Sequence, residues 1–507
     1  MKIAAKFKDL KEVKNLFPKD FPVLGVGVTA WPRSALAYLL PNLTILSYLE
    51  TSDLGSIRQV CPVISMEKDL GGLRVEKENT SSMLEVLVQS MPALIKDRQG
   101  LFVYKGTIRI DKIVAELGWR LMSTAGAIRN PLENKRIFRE HLVKAGIQPV
   151  KGITLKVKEL DENAWKGLKK RFGEKLVFQL ADSVNGGGAG TFFVFNKNNF
   201  DSYREAVKEK EIRQDKDLEW VNVTQFIEGE TASIIGCATK HGVVLGRLQK
   251  QIIDQPELGE IKGRSGVWHG HDWTISFNPE AQIEAEKLAK TWGEYIYQLG
   301  YKGVFGLDVM VTRNNQVYPI ECNSRYTGAF PVLTMLQLKA GLMPFDVWHL
   351  AEWLDLDYEL DVEKVSKLYQ EPLVGSQLVM HSLEAGGVKI NKEMKAGVYK
   401  FSFSRADMRR ARLSPAAYVT SSTRRSVSRC AEISYIRPGF SLLDLQDKNE
   451  FILVDRVMRK ESVVKPGFRL GRLVFNQRLI GDKGRLLPEI RSVVKAVYEG
   501  FGLEKVN

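Results

Sequence analysis

At 507 residues the chain is too long for one ordinary core and predicts about three domains. Its 44% hydrophobic and 26% charged residues are those of a globular protein, and no run approaches the ~18 apolar residues of a membrane span. The net charge of +14 is uneven: from Glu371 onward 25 Lys and Arg face 14 Asp and Glu, so the last quarter holds most of the surplus. MKIAAKFKDLKEVKNLF carries charges throughout, which argues against a secretory leader. Cys61, Cys237, Cys322 and Cys430 lack CxxC spacing, so neither a disulfide framework nor a structural zinc site is expected, and a reducing cytoplasm is the simplest home.

Residues 22–121 read as alternating strand and helix, the pattern of a small parallel sheet. PVLGVGVTA is a strand ending in glycines, Pro32 suits the first turn of a helix running to Tyr38, and LTILSYLE is a second strand. LFVYK, a helix over 107–117 and WRLM continue the alternation. Gly25, Gly27 and Ala30 satisfy GxGxxA, with Glu50 where a ribose-holding acid would stand. Chance supplies that fingerprint in many strand-helix units, so an NAD site is weighed against a plain turn.

Residues 134–146, NKRIFREHLVKAG, form an amphipathic helix with Ile137, Phe138, Leu142 and Val143 on its apolar stripe and Gly146 as its stop. Lys135 falls in the first turn, where a cation opposes the helix dipole; a bound anion would relieve that conflict, and a solvated lysine is the alternative. KLVFQL and TFFVFN bracket SVNGGGAG, whose backbone N–H groups could close over phosphates as a flap. The loop lacks the GK[ST] ending of a P-loop, and a plain flexible turn is the alternative. WVNVTQFIEGETASIIGCA reads as strand, break, strand. At the break, Gln225-Phe226-Ile227 can offer a carbonyl and an N–H to adenine, and Glu230 can take ribose hydroxyls. In VVLGRLQKQIID, period 2 places Arg247, Gln249 and Gln251 on one face and Lys250 on the other. GEIKGRSGVWHGHDW predicts a loop on the substrate side, holding Arg264, His269 and His271 without a third ligand for zinc.

After an amphipathic helix, EAQIEAEKLAKTWGEYIYQLG, comes GVFGLDVMVTRNNQVYPIECNSR, two apolar runs around Asn314-Asn315 that read as a tight hairpin. A turn centred between the asparagines places Asp308 opposite Glu321, Cβ atoms ~5 Å apart. Carboxylates that close share a proton or clamp a cation. Asn323 and Arg325 share the face of Glu321, while Cys322 turns away to pack. Hard oxygen ligands suit Mg²⁺ bridging to phosphates, and Arg suits a transferring phosphoryl group. Pro319 demands an edge position. Beyond an acidic passage, Pro372 begins a tail of short strands punctuated by Gly375, Gly386-Gly387 and Gly397. An arginine cluster follows (Arg405, Arg409, Arg410, Arg412, Arg424, Arg425, Arg429), then a helix over 488–499 packing Ile490, Val493, Val494 and Val497. The tail predicts a basic face drawing anionic substrate to the site, or a surface for a polyanion.

Taken in order, Lys135, the glycine flap, the Gln225-to-Glu230 break, Arg247 with Lys250, and Asp308…Glu321-x-Asn323-x-Arg325 resemble the ATP-grasp superfamily. The closest resemblance is to relatives of biotin carboxylase, carbamoyl-phosphate synthetase and the carboxylate-amine ligases, over residues 130–350. The resemblance implies an α/β chain with an α+β ATP-grasp core. Residues 1–125 would form a small parallel-sheet domain, 126–370 the two-lobed ATP-grasp domain and 371–507 a basic, mainly β domain. It implies ATP with Mg²⁺ or Mn²⁺, the metal on Asp308, Glu321 and Asn323. Lys135, Gln179, Gly186, Gly187, Gly188 and Gly190 would surround the phosphates; the Gln225 carbonyl, Phe226 and the Ile227 N–H would meet adenine, and Glu230 the ribose. Arg325 would stabilise the charged intermediate, with Lys250 and Arg247 adding positive charge.

The sequence departs from the family at Gln179, where many members carry a phosphate-binding lysine, and at Ala189, where the flap often holds Lys or Arg. Gly306 stands where several ligases have an arginine, so the carboxylate substrate must be anchored elsewhere. The expectation is an ADP-forming ligase joining a small-molecule carboxylate to an amine, with no membrane partner and homodimerisation left open. A bicarbonate-activating enzyme of carboxylase or carbamoyl-phosphate type, and a degenerate ATP-grasp protein binding nucleotide or polyanion, are the alternatives.

Overall fold

The computed structural model describes residues 2–71, 79–91, 100–181, 190–214, 218–259, 266–382, 387–403, 431–465 and 467–506. The N-terminal alternation folds into a five-stranded parallel sheet of β1 (Val23–Gly27), β2 (Leu43–Ser47), β3 (Val63–Ser65), β4 (Gly100–Phe102) and β5 (Arg120–Leu121), in the order β3-β2-β1-β4-β5. Every residue of β1 and β2 is buried, which is why these strands read as apolar runs without alternation. The helix Ile108–Leu117 begins at Thr107, whose hydroxyl accepts from Ile110 N, and ends at Gly118 with φ 63°. The residues of the expected dinucleotide fingerprint have other partners. Arg58 grips both Glu50 oxygens at 2.7 and 2.9 Å, and a Cβ on Gly27 would lie 2.3 Å from the Arg33 guanidinium.

Next comes α1 (Lys135–Lys144), with Asn134 as its N-cap. Phe138 and Leu142 are buried beneath it, but Val143, expected on the apolar stripe, is 63% exposed. A small four-stranded antiparallel sheet follows, built from β6 (Gly152–Lys156), β7 (Leu176–Leu180), β8 (Thr191–Val194) and β9 (Trp220–Gln225), in the order β6-β9-β7-β8. Its core of Trp165, Phe178, Phe200 and Tyr203 makes this lobe an independent layer.

The second lobe belongs to a ten-stranded sheet in the order β14-β13-β10-β11-β12-β15-β21-β19-β17-β18. Its strands are β10 (Glu230–Thr239), β11 (Gly242–Ile253), β12 (Trp268–Asp272), β13 (Gly303–Val311), β14 (Val317–Asn323), β15 (Ser376–His381), β17 (Gly397–Ser402), β18 (Glu432–Arg437), β19 (Glu450–Val454) and β21 (Arg469–Phe475). Strands from both sides of residue 370 therefore share one sheet. Expected in a loop, His269 and His271 instead lie on β12. The helix α2 (Pro279–Gln298) covers one face, burying Ala289 and Trp292 against Ala232, Ile234, Leu248 and Phe305. A separate three-stranded sheet, β20-β16-β22, is made of β16 (Gly387–Ile390), β20 (Val463–Val464) and β22 (Leu503–Val506). The closing helix α3 (Pro488–Phe501) buries Ile490, Val493, Val494 and Val497. Cys61, Cys237 and Cys322 are free and buried. Among the described residues, no helix is long and apolar enough to cross a membrane. The flap glycines Gly186, Gly187 and Gly188 lie outside the described residues, as do Arg264, Cys430 and the arginine cluster of 405–429.

Candidate active site

Strands β13 and β14 place Asp308 directly across from Glu321. The route to that register differs from the tight turn expected. Thr312 to Gln316 form a longer loop, with Asn315 at φ 62°, and the register then shifts between Asp308 and Val309. The shift leaves Ile320 as an extra residue, a β-bulge that brings Glu321 opposite Asp308. Pro319 sits beside the bulge on β14, the edge strand, where its missing N–H costs no ladder bond. Cys322 turns to the opposite face, where Trp292 Nε1 donates to its sulfur at 3.1 Å.

The two carboxylates differ in environment. Burial, then the neighbouring Glu321 charge, raises the Asp308 carboxyl, while Asn323 Nδ2 at 3.0 Å and Gln251 Nε2 at 2.8 Å donate to its oxygens. Burial also acts to raise Glu321, but Lys135, 2.9 Å away, and Arg325 hold it below the usual carboxylate range. Protonation is thus favoured on Asp308 and disfavoured on Glu321. Lys135 is held from the small lobe: Asn222 Nδ2 on β9 donates to its carbonyl at 2.5 Å, and Thr154 donates to the Asn222 amide oxygen at 2.6 Å. Arg325 donates to Asn323 Oδ1 at 2.7 Å and to the Tyr326 carbonyl at 3.2 Å, and its Nε lies 3.1 Å from Glu133 Oε1.

These groups line a cavity of about 740 Å³ between the small sheet and the large one. Val177, Phe193, Phe226 and Ile227 on one side and Val309, Met310, Pro319 and Ile320 on the other form an apolar slot of a kind that takes a flat ring. Gln179 and Gln225 line it too. The Phe226 N–H donates to the Lys175 carbonyl, whereas the Ile227 N–H has no hydrogen-bond partner among the described residues. Gly190, at φ 115°, accepts from Leu180 N at the base of the β7–β8 hairpin.

Three expected site residues are not brought to this cavity. Glu230 shares its strand face with Ala232 and Ile234, the face packed under α2, and its carboxylate takes Lys250 Nζ at 2.9 Å. Lys250, paired with Ala232, is buried on the same side. Arg247 donates to Ser276 Oγ at 2.9 Å beside an irregularity in the β10–β11 pairing, away from the cavity wall. The glycine and polar positions in β11 left both faces open from sequence, and the bulge and α2 decide between them.

Conversely, Ser233, Gln251, Thr327 and Arg469 line the cavity without having been expected there, and Trp268 and His271, from the segment expected as a loop, line it from β12. Ser233 and Gln249 join side chain to side chain at 2.9 Å, and Trp273 Nε1 donates to Gln249 at 2.6 Å. Polar residues at alternate positions 249 and 251 of an apolar strand were the available signal.

Asp308 and Glu321 offer two hard oxygen ligands, a donor set that fits Mg²⁺ or Mn²⁺. In this arrangement Asn323 turns its oxygen to Arg325 and its amide nitrogen to Asp308, so it orients the pair. Among the described residues no group of three or more His, Cys, Asp or Glu side chains is set to hold a metal. Two carboxylates alone fill only part of a coordination shell, of the kind that phosphate oxygens and water complete.

Residues 175–329 match the family model of the ATP-grasp domain. No curated protein sequence matches. Biotin carboxylase of Campylobacter jejuni is similar in structure, with a TM-score of 0.59 and 12% identity over 95% of this chain and 98% of that one. The N5-carboxyaminoimidazole synthase of Aspergillus clavatus has a TM-score of 0.53 at 12% identity, over 94% of this chain and 100% of that one. An L-amino acid ligase of Bacillus licheniformis has 0.53 at 11%, over 97% and 99%. Identities this low speak to fold alone. Fold, hairpin and family match agree that this chain carries an ATP-grasp domain.

Proposed function

We propose that the chain is an ATP-dependent, ADP-forming ligase that activates a carboxylate as an acyl-phosphate and passes the acyl group to an amine. The observation that carries this is Asp308 facing Glu321 across the hairpin, with Lys135 in contact with Glu321 and the Arg325 charge close by, at the wall of a cavity between two lobes. The N5-carboxyaminoimidazole synthase of similar fold was crystallised with ADP, which supports a nucleotide here. Adenine would enter the slot between Phe226 and Met310, and the phosphates would lie toward Lys135.

Magnesium or manganese held by Asp308 and Glu321 would supply charge neutralisation at the terminal phosphates. Lys135 now neutralises Glu321 and is the group whose ammonium becomes free to turn to phosphate once that role is taken over. Arg325 is the preorganised donor: Asn323, the Tyr326 carbonyl and Glu133 fix it beforehand, so little reorganisation is needed as charge develops on the transferring phosphoryl group. The substrate carboxylate oxygen attacks the γ-phosphorus, the bond to the β–γ bridging oxygen breaks, and ADP leaves. The amine nitrogen then bonds to the acyl carbon, phosphate departs, and the nitrogen releases one proton. With few covalent duties, the residues act by orientation and electrostatics.

A screen of acids and amines for dependent ADP release tests the reading, with hydroxylamine added to trap the acyl-phosphate as a hydroxamate. ADP release that never yields a hydroxamate with any active acid would refute the acyl-phosphate.

A further inference from the structure

The cavity extends well past the metal hairpin. Asp308 is on β13 and Arg469 on β21, with β10, β11, β12 and β15 between them in the sheet, yet both line the same space. The sheet face joining them carries buried polar side chains where a core would carry apolar ones. Gln251 bonds Asp308, Ser233 lies 3.4 Å from His271 Nε2, Gln377 lies 3.4 Å from His271 Nδ1, and Arg472 donates to Gln377. Ser233, His271, Gln377 and Arg472 are each at most 4% exposed.

At the far end the charges do not balance. Asp455 accepts from Arg469 and Arg472 at 3.2 Å and from the Thr29 hydroxyl at 2.8 Å. Burial would raise its carboxyl, but Arg472 and Arg469 bring it below the usual range, so it is fully ionised. Asp53, bonded to the Asp455 N–H at 3.0 Å, is pushed up to about 6 by burial, which leaves it a second ionised carboxylate at neutral pH. Against these two carboxylates stand three guanidiniums. Arg472 spends its donors on Asp455, Gly328 O and Gln377, and lies 4.8 Å from the Trp31 ring. Arg33 is 7% exposed, lies 4.4 Å from the Tyr104 ring, and has no side-chain hydrogen-bond partner among the described residues; its Nε is fully enclosed. Arg469 gives one nitrogen to Asp455, is 32% exposed and faces the cavity. Asp254 also lines the cavity, and its oxygens accept from the Gly266 and Val267 N–H groups at 2.9 and 2.7 Å. Arginine cannot shed its proton, and with Arg33 unpartnered among the described residues and Arg469 reaching the cavity this wall can take an anion.

We propose that this end of the cavity is a subsite for an oxyanion, a carboxylate or phosphate carried by the substrate, held by Arg469 with Arg472 and Arg33 behind it. The substrate is then an acid or amine bearing an anionic group besides the reacting one, lying along the polar face from Asp308 to Arg469. Trp268 and Val267 wall that path and suit a flat or apolar middle portion. The proposal takes the cavity as a substrate site and so rests on the ligase reading.

Full-length protein with saturating MgADP is titrated with inorganic phosphate and, separately, succinate, at constant ionic strength. Saturable binding of one anion is expected, and which one binds distinguishes phosphate from carboxylate. Arg469→Met should weaken it by about tenfold or more, the loss of a charge-assisted contact, with MgADP affinity unchanged. If the variant also loses MgADP, Arg469→Lys decides: restored anion binding supports the subsite, and its absence overturns it. Equal anion binding by wild type and Arg469→Met, or no saturable binding of either anion, overturns the proposal. A wild-type chain that does not bind MgADP refutes the nucleotide reading instead, and the same titration without MgADP then judges the subsite alone.

Discussion

Asp308→Asn separates the two consequences of placing a pair of carboxylates face to face. The substitution keeps volume, and a flip of the Gln251 amide lets the new side chain still accept from Asn323 and bond Gln251. With Cβ atoms ~5 Å apart, two ionised carboxylates repel by on the order of 3 kcal/mol at an effective dielectric constant of about 20. The raised Asp308 carboxyl, which takes up a proton readily, and the Lys135 ammonium at 2.9 Å from Glu321 already relieve most of this. The unliganded variant should therefore gain about 1 kcal/mol in stability. Nucleotide binding should move the other way, because losing a charged ligand weakens MgADP by about 10- to 100-fold. At a concentration 100 times the wild-type Kd, MgADP stabilises wild type by about 2.7 kcal/mol, and a variant weakened 100-fold by about 0.4 kcal/mol. Urea unfolding with and without MgADP reads both signs. The folded carboxyl lies above its unfolded value of 3.8, so unliganded wild type gains stability as pH falls through the raised value toward 3.8. A divalent cation competes with that proton, so its affinity should climb with pH across the same window, and the variant should lose both dependences. An unliganded variant less stable than wild type that keeps full MgADP protection would refute the argument.

Lys135→Met removes the ammonium beside Glu321 and should weaken ADP binding by about 10- to 100-fold in calorimetric titration; an unchanged Kd would sever Lys135 from the phosphates. Arg325→Lys keeps the charge but loses the geometry set by Asn323 and Tyr326, so ADP release should slow by about 100- to 1,000-fold while MgADP affinity changes far less; parallel losses would make Arg325 a ground-state ligand. His349 is fully enclosed, accepts from Val304 N at 3.2 Å, meets Met122 O through Nε2 at 3.0 Å, and is lowered to about 4 by burial. Its folded value lies below the unfolded 6.5, so stability is lost as pH falls from 6.5 toward 4, up to about 3 kcal/mol. His349→Gln should flatten the difference in unfolding free energy between pH 7 and pH 4.5; an equal acid loss in both proteins would reject the assignment.

Periodicity made the elements readable. The parallel N-terminal sheet, α2 and α3 follow from apolar spacing and capping residues such as Thr107 and Asn278, both local properties. The facing of Asp308 and Glu321 was also legible, but through two compensating departures: the loop shifts the register by one and the bulge at Ile320 shifts it back. A bulge has no reliable sequence signature, so such agreement has a fortunate component. Lys250 and Glu230 fell on the wrong side because alternation tells which residues share a face, not which face meets the cavity, whereas Arg247 leaves the face of Gln251 at the irregularity in the β10–β11 pairing. That choice is made by α2 covering Ala232, Ile234 and Leu248, a tertiary contact between segments far apart in sequence. Arg469 was hidden for the same reason, since the folding of one sheet across residue 370 is what carries it to the cavity.

The family match stops at residue 329, yet the residues that hold the site do not. Arg325 is fixed by Glu133, which also pairs with the buried Arg129 and lies 3.9 Å from Lys105 in the loop after β4. Tyr326 is enclosed by Phe102 at 4.9 Å, Tyr104 at 5.1 Å, Phe330 at 4.6 Å and His349 at 4.9 Å, a cluster that joins the N-terminal sheet to the segment following β14. Trp31 donates to the Phe440 carbonyl at 2.8 Å, and Thr29 and Asp53 reach Asp455, so the turn after β1 also ties down the C-terminal strands that present Arg469 and Arg472. The C-terminal ends of the parallel strands, where open α/β sheets place their ligands, are thus spent on positioning two arginines of other segments. A dinucleotide would have to displace Arg33 from Gly27 and Arg58 from Glu50.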